Sequence, residues 1–130
     1  MATLIALGGL PGSGKTTVAM ALRDRGAIWL RIDTIEMALW RSALRIEAAE
    51  DAGYVAAAGV ARDNLVGDRV VVADSVNPIA LTRAAWAEAA RAAGARHLGV
   101  EIHCSDPAEH RRRVETRRAA EPEARYPSWS

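Results

Sequence analysis

The sequence is short of several things, and each shortage excludes a class of protein. Cys104 is the only cysteine in 130 residues, so no internal disulfide can close. The apolar residues around it suggest a buried, reduced thiol. No stretch approaches the ~18 apolar residues of a membrane-spanning helix, and no charged segment precedes the first apolar run as a secretory leader would require. A cytoplasmic protein without membrane contact is the expectation. Neither sign of charge is in excess: 17 basic and 16 acidic residues leave a formal net charge of +1, which gives no bulk electrostatic pull toward nucleic acid or a lipid surface. There is no repeat at solenoid periods and no low-complexity block beyond a general richness in alanine. At this length, with half of the residues hydrophobic, one globular domain spanning 1–130 is expected.

Lysine is the scarcest basic residue. Lys15 is the only one among 17 basic residues, all the others being arginine. It lies in Gly9-Leu10-Pro11-Gly12-Ser13-Gly14-Lys15-Thr16, which satisfies the pattern G-x-x-x-x-G-K-S/T at every fixed position. The apolar run Leu4-Ile5-Ala6-Leu7 precedes it and a segment with helical spacing follows, the strand–loop–helix context the pattern needs. Glycines there admit backbone angles that a Cβ forbids, turning successive N–H groups toward a phosphate at a helix N-terminus. A compact ammonium fits such a loop where a planar guanidinium does not. Gly9, Pro11, Gly12, Ser13, Gly14, Lys15, Thr16 and Thr17 are therefore the expected nucleotide contacts, with Lys15 on the β- and γ-phosphates and the Thr16 hydroxyl on Mg²⁺. The Lys15 side chain is expected in the ligand space and not in the core, so that Lys15→Ala would spare the fold.

The rest of the chain alternates strands and helices. Strands are expected over 4–8, 28–32, 70–73 and 97–104, and helices over 15–25, 34–46, 54–66 and 78–94. A further Arg-dense helix begins at Asp106-Pro107 and reaches about Ala119, and 120–130 reads as an irregular tail. This alternation predicts an α/β fold, a parallel sheet of about four strands with helices on both faces. Ligands in such sheets bind at the carboxyl ends of the strands, where the phosphate loop, Asp33 and Asp74 should converge.

Asp33, at the end of the second strand, is placed to accept a proton from an acceptor hydroxyl. It also fits a helix N-cap with Glu36 as its box partner, and both roles are compatible. Asp74 ends four apolar strand residues, as the acid that organises Mg²⁺ in such sites does. Beside Ser75 and Asn77 it fits turn capping equally well. Arg83, one turn into the following helix, is either a contact for an anionic substrate or a solvated side chain. Arg113 and Arg117 lie four apart on one helix face, so two guanidinium groups can converge on phosphates; the alternative is a solvated basic face. His97, His103 and His110 lack metal-site spacing and read as structural.

Taken together, GGLPGSGKTT, RIDTIEMAL, VVVADSVNP and EIHCSDPAEHRRRVETR resemble the small P-loop kinases often labelled as AAA-family ATPases, relatives of gluconate kinase, chloramphenicol phosphotransferase and the kinase domain of polynucleotide kinase. The resemblance covers residues 2–118. It implies a three-layer P-loop fold with strand order 2-3-1-4, ATP and Mg²⁺ as ligands, and Asp33 as the substrate-side base. It also implies a lid-like helix over 106–119 that brings Arg113 and Arg117 over ATP. Glu36 stands where polynucleotide kinase-like members carry a substrate-binding Arg, which turns the expectation from nucleic-acid ends toward a small-molecule hydroxyl. Such kinases usually continue into a fifth strand and a terminal helix, and this chain looks truncated beside them. Strand 97–104 would then be an edge open to self-association.

A GTPase-like switch is disfavoured, since no Asp has Gly three residues on and no N-K-x-D run occurs. The leading expectation is an ATP-dependent kinase with an alcohol acceptor. The alternative is a nucleotide-binding ATPase or regulatory module with little or no transfer.

Overall fold

Strand β1 (Thr3–Gly8) runs through the middle of the sheet because both of its faces are apolar: Leu4 and Ala6 are buried toward one side and Leu7 toward the other. In the computed structural model, which describes residues 1–10, 13–46, 51–75, 80–103, 108–109, 111–112 and 115, β1 pairs with β3 (Val70–Asp74) on one edge and β4 (Arg96–Glu101) on the other. Strand β2 (Ile28–Arg31) adds to the outer side of β3. All pairings are parallel, and the order is β2-β3-β1-β4, as the resemblance implied.

Helix α1 (Lys15–Asp24) covers one face, where Ala19 packs with Leu7 and Val72. Helices α2 (Ile32–Arg41), α3 (Ala52–Asn64) and α4 (Ala80–Ala93) lie on the other. This gives three layers. On α3, Ala57 and Ala61 are fully buried one turn apart, and their small side chains let the helix backbone sit close to the sheet. Trp86 of α4 fills the space left over; it is fully buried and meets the Tyr54 ring at 6.2 Å in a tilted arrangement. Truncating a Trp in such a position costs roughly 3–5 kcal/mol.

Several boundaries differ from the expected ones. Helix α2 starts at Ile32, so β2 ends one residue early and Asp33 belongs to the helix; α2 also stops at Arg41, well short of Ile46. On α1 Lys15 and Ala19 are buried, while Val18 is exposed. Strand β4 is mostly exposed, with Leu98 open to solvent and Val100 and Ile102 partly buried against the α1-side cluster. Of the expected lid helix, residues 108, 109, 111, 112 and 115 are helical; the rest of 106–119, and the tail 120–130, lie outside the described residues. No described helix is long and apolar enough to cross a membrane.

The registers assemble one rim. Leu7 and Arg31 both stand level with Asp74, and Gly8 stands level with Glu101, so the start of the phosphate loop and the ends of β2, β3 and β4 meet at the carboxyl edge of the sheet.

Candidate functional site

At that edge the chain leaves β1 through Gly9, whose φ of 146° lies in the region that favours glycine. Space imposes the same choice, since a Cβ there would lie 2.6 Å from the Ile102 carbonyl oxygen and 2.8 Å from Ser13 Oγ. The loop is fastened to its neighbours, the Ile102 amide donating to Gly8 O at 2.9 Å and the Ser75 amide to Leu7 O at 3.3 Å. Gly14, at φ 106°, caps α1 without a side-chain bond, and the Val18 amide closes the first turn on its carbonyl at 3.2 Å. Pro11 and Gly12, expected in the same loop, lie outside the described residues.

Lys15 opens α1 and folds back under the loop. Its Nζ donates to Asp74 Oδ1 at 2.5 Å, and the two side chains are only 7% and 1% exposed. The side chain expected to project into ligand space is thus buried against an acidic partner. The other Asp74 oxygen, Oδ2, accepts a hydrogen bond from Trp29 Nε1 at 3.0 Å. Behind that ring stands Arg23 of α1, its guanidinium carbon 5.5 Å from the ring centroid. A carboxylate buried this far needs both partners, because an unpaired charge in a dry site is strongly disfavoured. Among the described residues Asp74 accepts from Lys15 and Trp29; Asn77, on which the turn-cap reading also rests, lies outside them. The phosphate-loop pattern does not point to Trp29; in the fold Trp29 and Arg31 share a face of β2, and Arg31 is level with Asp74.

Two buried hydroxyls at the rim, Ser13 Oγ and Ser75 Oγ, have no hydrogen-bond partner among the described residues. Such groups are costly unless a ligand or water satisfies them. Thr16, next to Lys15, is half-buried, and Thr17 is exposed. Among the described residues no three His, Cys, Asp or Glu side chains converge to hold a metal. The donor set at this rim, one threonine hydroxyl and one carboxylate beside orphaned hydroxyls, instead suits Mg²⁺, which keeps several waters and binds through one or two protein oxygens plus phosphate oxygens.

Asp33 sits in the first turn of α2, where its charge suits the helix dipole. The N-cap is Arg31, with no side-chain cap, so the capping box of Asp33 with Glu36 is not formed as expected. Glu36 instead packs against α3, its Cγ 3.0 Å from where a Cβ on Gly53 would be. Burial, and secondarily the Asp33 charge, push its carboxyl above the ordinary range. Beside these residues lies a cleft of about 330 Å³ lined by Trp29, Leu30, Arg31, Thr34 and Ile35. A larger groove of about 620 Å³ runs between α3 and α4, toward their carboxyl ends and away from this rim. Arg83 is exposed at the end of the first turn of α4 and is not drawn into the cluster; Arg113 and Arg117 lie outside the described residues.

The sequence matches a family described as an AAA domain over residues 4–128. No curated protein matches it. Solved structures of similar fold include the Mycobacterium tuberculosis APS kinase CysC in complex with AMPPNP and APS, at TM-score 0.67 and 23% identity, covering 92% of this chain and 72% of that one. Chaetomium thermophilum Kti12 in complex with ADP-AlF3 matches at TM-score 0.64 and 24% identity, over 98% and 73% of the two chains. A gluconokinase from Sinorhizobium meliloti 1021 matches at TM-score 0.55 and 18% identity, over 90% and 64%. These likenesses are of fold.

Proposed function

The chain belongs to the AAA domain family, and from that premise we propose that it transfers the γ-phosphoryl group of ATP to a hydroxyl of a small molecule. The observation that carries this reading is the buried pairing of Lys15 with Asp74 beneath a phosphate loop whose Ser13 hydroxyl lacks a partner. The kinases among the structural neighbours support it as analogy.

In this reading the loop amides hold the β- and γ-phosphates, and Lys15 gives its ammonium to their oxygens, reducing its hold on Asp74. Thr16 and Asp74 are the residues that would hold Mg²⁺, which when bound supplies positive charge to the phosphate oxygens. The acceptor enters from the cleft beside Trp29 and Thr34, whose volume suits a small molecule. Its oxygen forms a bond to the γ-phosphorus as the bond from that phosphorus to the β–γ bridging oxygen breaks. ADP leaves with the electron pair, and Asp33 takes the hydroxyl proton. Arg113 and Arg117 supply further positive charge over the transferring group.

A labelled-ATP transfer screen over sugars, nucleosides, antibiotics and oligonucleotide ends tests the proposal. One small-molecule class should become labelled, and Asp33→Asn should lower its transfer on the order of 100-fold or more while ATP affinity changes little. ATP binding or hydrolysis with no labelled acceptor would support the ATPase or regulatory alternative; equal losses of affinity and transfer in Asp33→Asn would remove the base role.

A further inference from the structure

The indole of Trp29 touches the acid at the centre of the site, and nothing in the phosphate-loop pattern accounts for it. We propose that Trp29 is a positioning residue for Asp74, holding the carboxylate in place when Lys15 turns to a phosphate; the inference rests on the nucleotide reading above. Both Asp74 oxygens are engaged, Oδ1 by Lys15 at 2.5 Å and Oδ2 by Trp29 Nε1 at 3.0 Å. The two donors differ in kind. An ammonium neutralises the carboxylate, whereas an indole N–H is a donor without charge, so it fixes the group and leaves its charge available to a cation.

The hold does not depend on Lys15. Trp29 stands on β2, its ring is packed in the cluster of Leu7, Ala19 and Val72, and Arg23 lies over its face. Fixing one oxygen of a planar carboxylate directs the other, and here the other points to the loop. A lysine or arginine at position 29 would compete with a cation for Asp74. An aliphatic residue would leave Oδ2, on a side chain 1% exposed, without a donor.

Two substitutions divide the indole into its parts. Trp29→Phe keeps an aromatic ring and deletes the N–H. Trp29→Gln deletes the ring but carries an amide N–H three bonds beyond Cβ, the same number as the indole N–H. The experiment is calorimetric titration of ADP into the wild type and both variants, with and without Mg²⁺, beside their melting temperatures. ADP affinity without Mg²⁺ should be alike in all three. The gain in affinity on adding Mg²⁺ should fall about tenfold in Trp29→Phe, the worth of a hydrogen bond to a charged group, and be largely retained in Trp29→Gln. Melting temperature should follow the ring instead, Trp29→Gln being the less stable of the two. A wild-type Mg²⁺ response in Trp29→Phe, or its loss in both variants alike, would reduce Trp29 to a packing residue and overturn the proposal alone. Absence of ADP binding in the wild type would overturn the nucleotide reading and this inference with it. Should Trp29→Gln not fold, unfolding of the nucleotide-free protein decides through Trp29→Phe and Asp74→Asn made singly and together: non-additive losses support the proposal and additive ones overturn it.

Discussion

Lys15 has two tasks that conflict. In the proposed function it is a phosphate contact; in the structure it is the counter-ion that makes burial of Asp74 tolerable, at 2.5 Å and 7% exposure. Lys15→Ala should therefore damage the fold as well as binding, by roughly 3–5 kcal/mol, because it leaves a carboxylate buried with only a neutral donor. Adding Asp74→Asn removes that stranded charge and should recover a large part of the loss. Chemical denaturation of the two single variants and the double variant reads the coupling. Additive losses would mean that the pair does not hold in solution. The sequence pointed to Lys15 through its isolation among arginines, but not to its pairing with Asp74, since a motif fixes residue types along the chain and not which side chains meet across the fold.

At the scale of elements, the junction of β2 with α2 is where sequence reading and structure part most. Asp33 reads as a cap because Asp followed three residues later by Glu is a common helix start. In the fold, Arg31 of β2 is level with Asp74, and the strand passes directly into the helix at Ile32, so the carboxylates fall inside the first turns of α2. Glu36 is then carried against Gly53 of α3, and burial raises its carboxyl above the ordinary range. The sign of the consequence follows from linkage. The folded protein keeps the Glu36 proton over a pH interval in which the unfolded chain has lost it, so this group's contribution to stability declines as pH rises from about 4 through the folded value. Glu36→Gln should abolish that decline, and the stability difference favouring the variant should grow with pH and then level off. Urea denaturation of both proteins from pH 4 to 8 measures it. A difference constant across the range would show that Glu36 titrates as an ordinary surface carboxylate.

Across the whole molecule, the alternation of strand and helix and the both-sided apolar character of β1 made the layered fold and its central strand legible, and the family resemblance supplied the strand order. Less of the site could be read. The phosphate loop and Asp74 were visible as a motif and as an acid ending an apolar strand. Strand order put β2 beside β3, but the contact of Trp29 with Asp74 required their register, and the exposure of Arg83 required the orientation of α4; periodicity alone provides neither. The orphaned Ser13 and Ser75 hydroxyls are properties of packing and have no signature in sequence.

Lys15, Asp74, Trp29 and the Ser13 and Ser75 hydroxyls meet at the phosphate loop, so the most direct measurement is the shift in melting temperature that saturating Mg·ATP causes in the wild type and in Lys15→Ala, each compared with its own ligand-free baseline. Ligand at about 100 times its dissociation constant stabilises a folded protein by about 2.7 kcal/mol. For a domain of this size that corresponds to a rise on the order of 10 °C. The wild type should show that rise and Lys15→Ala little or none. No shift in the wild type, or the same shift in both proteins, would contradict the assignment of this rim as a nucleotide site.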